Sequence, residues 1–75
     1  MEFEIITKAV CDVLGVHSSE ITEETNFTVD LGADSLDLYQ VIMQVERELG
    51  IEVPAEELAG ISTVADAITV IKNAE

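Results

Sequence analysis

Apolar side chains recur at the spacing of an α-helix in three stretches of the chain, and residues that start or stop helices bound each stretch. The first stretch carries Ile6, Val10, Val13 and Leu14, which share one face at about 100° per residue. Gly15 follows, and glycine commonly succeeds a helix because it tolerates a left-handed backbone. We therefore predict a first helix of about three to four turns that ends there.

The second stretch begins after an acidic capping residue and ends before another glycine. Asp34 is a favourable N-cap residue, and Asp37 places a second carboxylate in the positively polarised first turn. The apolar spacing continues to about Leu49, and Gly50 follows it. We predict a second helix between these limits.

A short helical turn and a third helix complete the predicted elements. Pro54 suits the first position of a short helix, where no N–H partner is needed. Ser62 or Thr63 is predicted to cap the last helix, and Asp66 completes a capping-box pattern with Thr63. A long polar connection, residues 16–33, joins the first two helices. Its predicted apolar anchors are Ile21, Phe27, Val29 and Leu31.

These elements predict an all-α fold: a small bundle of three longer helices plus one short helix, with a long loop between the first and second helices. Seventy-five residues suffice for a single domain, residues 1–75. Aromatic residues make up only 4% of the chain, so aliphatic side chains must fill the core. The single cysteine, Cys11, excludes a disulfide within the chain.

The charge balance limits the partners of this chain. Sixteen acidic residues against three basic ones give a net charge of −13. Phosphates of nucleic acids and anionic membranes would repel it, whereas basic protein surfaces would attract it. No run approaches the roughly 18 apolar residues of a membrane span, and the opening residues MEFEIITKAV lack a secretory signal pattern. We expect a cytoplasmic, monomeric protein without membrane insertion.

The second helix has two apolar faces. A core-facing stripe is predicted for Leu38, Val41, Ile42, Val45 and Leu49. Leu36 and Met43 lie on the opposite side, together with Gln40 and Arg47, so they must face solvent if the stripe is buried. Scattered exposed apolar residues are common and need no explanation, whereas two that share one helix face also suit a docking surface, since helices are often recognised through such anchors.

Ser35 lies between two acids at the start of the second helix, and several roles compete for it. A serine there is commonly a local capping or solvent-exposed residue. A nucleophile needs a general base and an oxyanion-stabilising site, whereas the single histidine, His17, lies in the polar loop. The segment GADSLD also departs from the G-x-S-x-G pattern. The residues therefore do not predict catalysis by Ser35.

The acidic residues around Ser35 do not form a calcium-binding loop. An EF-hand that began at Asp30 would need an oxygen ligand at its third position and glycine at its sixth, where Gly32 and Ser35 stand. Cys11 has no cysteine or histidine neighbour at ligand spacing, and we interpret it as partly buried packing. No metal site is predicted.

Beside the capping or solvent-exposed role, one functional role does fit Ser35: attachment of a modifying group. A hydroxyl at a helix start faces outward, and a phosphodiester there would meet unpaired backbone N–H groups and the positive end of the helix dipole. Gly32 would let the backbone turn sharply into the helix.

The segment DLGADSLD, Asp30–Asp37, resembles the prosthetic-group site of acyl carrier proteins. The resemblance covers essentially the whole chain, from NF before the motif through ERELGIEVP after it to the closing ISTVADAI. It implies that Ser35 carries 4′-phosphopantetheine, installed by a phosphopantetheinyl transferase (holo-carrier synthase). The thiol of this arm would hold acyl intermediates of fatty-acid biosynthesis as thioesters. The chain would then be a carrier on which enzymes act, and not an enzyme.

The resemblance also implies where partners and acyl chains bind. It makes the second helix a recognition surface for acyltransferases, ketosynthases and related enzymes with basic docking surfaces. The expected docking residues are Asp34, Leu36, Asp37, Met43, Glu46 and Glu48. An aliphatic pocket that opens to sheath the acyl chain would be lined by Ile42, Val45, Ile51, Val53, Leu58, Ile61, Ala65 and Ile68.

The second helix departs from the common fatty-acid pattern on its outward side. Gln40 and Gln44 bring no charge, Arg47 interrupts an acidic run, and Tyr39 adds bulk. Basic partners that depend on acids there lose complementarity. A specialised carrier of a polyketide or other secondary acyl pathway is therefore the alternative, and an acidic interaction module that is not a carrier is a second alternative.

Overall fold

The computed structural model describes residues 2–75 and contains three α-helices. We label them α1 (Glu2–Leu14), α2 (Ser35–Leu49) and α3 (Val64–Ala74). Two 3-10 helices lie in the connections, at Ser18–Glu20 and Ala55–Gly60. The described part of the chain contains no β-strand, although an isolated antiparallel bridge joins Asn26 to Thr63. The predicted all-α fold is confirmed, and the 3-10 helix Ser18–Glu20 is an addition to it.

None of the helices in residues 2–75 has the length and apolar character required to cross a bilayer.

Glycines end α1 and α2, as predicted. Gly15 and Gly50 have φ angles of +72° and +66°, which residues with a side chain rarely adopt. The N–H of Gly50 donates to the carbonyl of Glu46 at 2.8 Å, and that of Gly15 donates to the carbonyl of Cys11 at 2.9 Å. These bonds occupy carbonyl groups that the helix ends would otherwise leave unpaired.

Thr63, and not Ser62, caps α3. Its Oγ1 accepts a hydrogen bond from the N–H of Asp66 at 3.2 Å, and the Asp66 carboxylate accepts one from the N–H of Thr63 at 3.1 Å. Pro54 was predicted to be the first residue of the short helix, and this is wrong. Pro54 is instead the N-cap residue of the 3-10 helix Ala55–Gly60, because its ψ angle of 139° is extended rather than helical.

The central element of the core is α1, which packs against both α2 and α3, whereas α2 and α3 contact each other little. Ile6, Ala9 and Val10 of α1 are fully buried. The buried residues of α2 are Leu38, Val41, Ile42 and Val45, and those of α3 are Val64, Ala67 and Ile71. The core-facing stripe predicted for α2 is therefore confirmed, with Leu49 half-buried at its end.

Backbone hydrogen bonds fix the connection between α1 and α2 to the start of α3. The N–H of Phe27 donates to the carbonyl of Ser62, and the N–H of Val64 donates to the carbonyl of Thr25, both at 2.9 Å. Phe27 and Ile21 are buried, as the anchor prediction requires. These bonds hold the loop in one conformation beside the N-terminus of α3.

Val29 was also predicted to anchor this loop, and this is wrong. Its side chain is 79% exposed. The Oδ1 atom of Asn26 accepts hydrogen bonds from the N–H groups of Thr28 and Val29, both at 2.9 Å, and such an asparagine turn reverses the backbone without apolar contacts. A polar turn therefore fixes this part of the loop and leaves Val29 in solvent, while Leu31 is half-buried.

Candidate functional site

Reciprocal hydrogen bonds hold the start of α2. Asp34 Oδ1 accepts from the N–H of Asp37 at 2.9 Å, and Asp37 Oδ2 accepts from the N–H of Asp34 at 3.3 Å. The preceding Gly32 has a φ of +67°, and the N–H of Ala33 donates to the carbonyl of Phe27 at 2.9 Å. Asp34 is the N-cap residue, as predicted, and the capping box fixes the direction in which the chain enters the helix.

Ser35 is the first residue of α2, and its side chain is exposed. Within residues 2–75, no group hydrogen-bonds its hydroxyl, and the N–H groups of Ser35 and Leu36 have no acceptor. Such unpaired N–H groups form the positive end of the helix dipole. The hydroxyl can therefore accept an external group at a place where phosphate oxygens would meet hydrogen-bond donors.

The arrangement around Ser35 suits attachment better than proton transfer. His17 is exposed and precedes the 3-10 helix Ser18–Glu20, where its backbone N–H donates to Glu20 Oε2 at 2.9 Å. Cys11 is half-buried, in agreement with its interpretation as packing. Across the residues that the structure describes, no group of three or more His, Cys, Asp or Glu side chains is placed to hold a metal ion.

Exposed apolar side chains are concentrated around and beyond Ser35. Leu36, Tyr39 and Met43 of α2 are 61%, 47% and 37% exposed, and Val29 of the preceding loop is more exposed than any of them. The outward position predicted for Leu36 and Met43 is confirmed.

The acids expected to contact partners differ in what their carboxylates touch. Those of Asp34 and Asp37 are held in the capping box, and Glu48 is exposed. Glu46 is half-buried, and its Oε2 accepts a hydrogen bond from the N–H of Val53 at 2.6 Å. Glu46 therefore joins α2 to the segment that follows it, a contact that the sequence pattern did not indicate.

The residues expected to line an acyl pocket lie in the core or against it. Ile42, Val45 and Ile61 are buried. The others are half-buried: Ile51, Val53, Leu58, Ala65 and Ile68. They come from α2, from α3, and from the segment between these helices.

Asn26 was not predicted to take part in the site, although it shapes the loop that leads to Ser35. Besides accepting from two N–H groups, it donates its own backbone N–H to Asp30 Oδ2 at 2.8 Å. Asparagine is a common turn-forming residue. Asp30, four positions after Asn26, is the sequence feature that could have revealed this turn.

The unengaged serine hydroxyl at the start of α2, with acidic and apolar side chains around it, is accessible to an enzyme that attaches a group. Comparison with protein families identifies the class: residues 4–71 match the family described as phosphopantetheine attachment site, and the chain belongs to that family. It therefore bears 4′-phosphopantetheine covalently on a serine, is loaded by phosphopantetheinyl transferases, and carries substrates rather than catalysing their conversion.

Proposed function

We propose that this chain is an acyl carrier protein and that Ser35 is its attachment serine. The observation that carries the proposal is the exposed Ser35 hydroxyl, which has no hydrogen-bond partner in residues 2–75 and lies beside two unpaired N–H groups. When bound, 4′-phosphopantetheine supplies a terminal thiol that holds acyl groups as thioesters. The capping box keeps the hydroxyl at the helix tip, and the exposed position leaves room for a swinging arm.

We propose biosynthesis of fatty acids as the pathway, and a specialised acyl or polyketide pathway as the second candidate. Fatty-acid synthesis is supported by the DLGADSLD motif and by the acidic composition. The second candidate is favoured by the outward side of α2, where Gln40, Gln44 and Arg47 stand in place of acids. The two differ in the enzymes that accept the loaded chain and not in the attachment chemistry.

Docking would use the apolar Leu36 and Met43 with the carboxylates of Asp34, Asp37 and Glu48. Basic groups on a partner would approach these acids and steer its encounter with the negatively charged chain. Because Glu46 bonds to the backbone of Val53, a substitution of Glu46 would report on folding as well as on docking.

Intact mass tests the attachment. Incubation with coenzyme A and a promiscuous phosphopantetheinyl transferase should add about 340 Da, the mass of one phosphopantetheine group attached to a serine. Ser35→Ala should abolish the gain, whereas the exposed control Ser19→Ala should retain it. A gain that survives Ser35→Ala, or none in the unaltered chain, would contradict the proposal.

The same reaction tests docking. Leu36→Ala should lower the kcat/KM of modification about three- to tenfold, because it removes apolar surface that docking would bury. Thr69→Ala, on the exposed side of α3, serves as the control. Circular dichroism should remain unchanged for both variants, and a loss of helicity in Leu36→Ala would instead place Leu36 in the core.

A further inference from the structure

A groove lies between α1 and α2 on the outward side of α2. Its volume is about 280 Å³, and it is lined by Val13, Gln40, Met43, Gln44 and Arg47. Gln44 Nε2 donates a hydrogen bond to Asp12 Oδ2 of α1 at 2.9 Å, which joins the two helices beside the groove. The lining thus combines two apolar side chains with two amides and one guanidinium.

The charge of this groove differs from that of the rest of the chain. The net charge is −13, yet none of the lining residues is acidic. Arg47 is the only arginine in the sequence. Its side chain is exposed and makes no ion pair or hydrogen bond with any residue that the structure describes.

The lack of a partner for Arg47 follows from helix geometry. Glu46 and Glu48 are its neighbours in sequence, but successive residues on a helix point in directions about 100° apart. Residues three and four positions away share its face, and on the N-terminal side these are Gln44 and Met43. By contrast, Lys72 of α3 interacts electrostatically with Glu2 and Glu75. Arg47 is therefore available to an external anion.

We infer that this groove docks a partner enzyme that places a carboxylate against Arg47 and an apolar side chain against Met43 and Val13. The inference rests on the proposed acyl carrier function and specifies one class of its partners. A carboxylate suits the planar guanidinium because it can accept two parallel hydrogen bonds. An enzyme with lysine or arginine at this position meets repulsion instead, so Arg47 selects against partners that are basic along the whole of α2.

A charge-reversal experiment with two ketosynthases tests the inference. One enzyme carries an exposed carboxylate on the surface beside its active-site entrance, at the position facing the end of α2 in a docked complex, and the other carries a lysine or arginine there. The acylated forms of the wild-type chain, Arg47→Glu and Lys72→Glu are compared as substrates. Lys72→Glu is the control because it makes the same change of charge outside the groove, and circular dichroism checks that it remains folded despite the nearby Glu2 and Glu75.

Arg47→Glu should lower kcat/KM about three- to tenfold with the carboxylate-bearing enzyme and raise it with the basic one, as expected for charges at the rim of an interface. Lys72→Glu should leave unchanged the ratio of kcat/KM with the carboxylate-bearing ketosynthase to kcat/KM with the basic one. Replacing the enzyme carboxylate by arginine should restore turnover of Arg47→Glu, which a structural role of Arg47 would not explain. Equal effects of both chain variants, or no effect of either, would overturn the inference.

Intact mass separates the carrier function of the chain from the role of the groove. All three forms of the chain should gain the mass of 4′-phosphopantetheine equally, since Arg47 lies about three turns along α2 from Ser35. If none gains mass, the acyl carrier function is wrong. If all gain it and the preferences of the ketosynthases do not change, only the inference about the groove is wrong.

Discussion

Two buried threonines differ in what their hydroxyl groups contact. Thr7 of α1 is 8% exposed, and its Oγ1 is buried without a hydrogen-bond partner in the described residues. Thr25 of the first loop is 7% exposed, and its Oγ1 accepts from the N–H of Thr22 at 2.8 Å. Burial of an unpaired hydroxyl costs about 1–3 kcal/mol, whereas a paired one contributes to stability.

Valine has nearly the same shape as threonine. Its substitution should therefore change the free energy of unfolding in opposite directions at the two positions. Thr7→Val should raise the free energy of unfolding by about 1 kcal/mol, because it removes a polar group that burial leaves unpaired. Thr25→Val should lower it by about the same amount, since the N–H of Thr22 loses its acceptor. Urea unfolding followed by circular dichroism measures both. A destabilised Thr7→Val would mean that the Thr7 hydroxyl has a partner in solution.

Among the elements, the helix ends were the part of the fold that the sequence predicted best. Asp34, Gly50 and Thr63 act through local hydrogen bonds or backbone angles, and such effects can be recognised from residue type and spacing alone. The position of Ser35 followed from them, because it is the residue after the cap.

The elements outside the regular helices were harder to predict. The apolar character of Val29 predicts an anchor, yet the turn at Asn26 determines where its side chain points. The N–H of Val53 donates to Glu46 across the end of α2, seven residues away, and Gln44 donates to Asp12, which lies 32 residues earlier in α1. Such pairs depend on tertiary packing, and spacing along the chain carries no signal for them.

The start of α3 should depend on pH through Asp66. Its carboxylate accepts hydrogen bonds from the N–H groups of Thr63 and Ser62, and these bonds lower the pKa of Asp66 below its ordinary value of 3.8. A depressed pKa means that the stabilisation is complete above this ordinary value. It is lost as the pH falls from there through the pKa of the folded state.

Asp66→Ala should consequently destabilise the protein at neutral pH. The destabilisation should be much smaller at a pH near or below the pKa of Asp66 in the folded state. The measurement is the difference in free energy of unfolding between the variant and the wild type as a function of pH. Glu52→Ala, which removes an exposed negative charge, controls for relief of repulsion between acids. If the free energy of unfolding of Asp66→Ala differed from that of the wild type by the same amount at every pH, a role for the ionised carboxylate would be contradicted.

In the molecule as a whole, the three helices approach one another to different degrees. α1 contacts both other helices, whereas α2 and α3 contact each other little, and the 3-10 helix Ala55–Gly60 between them has no buried residue. Segments with few buried contacts open most easily. We therefore propose that an acyl chain enters between α2 and α3, where Ile42, Val45 and Ile61 are buried.

Loading the chain with saturated acyl groups of increasing length, through a non-hydrolysable amide analogue of the thioester, tests this route. Each buried CH₂ group contributes roughly 0.8 kcal/mol, so longer chains should offset the cost of separating the helices. Methyl NMR shifts of Ile42, Val45 and Ile61 should grow with chain length. Those of Val13, in the groove between α1 and α2, should remain constant. Shifts confined to the neighbours of Ser35 at every length would mean that the acyl chain stays in solvent, because a chain inserted into the core must displace the methyl groups that now fill it.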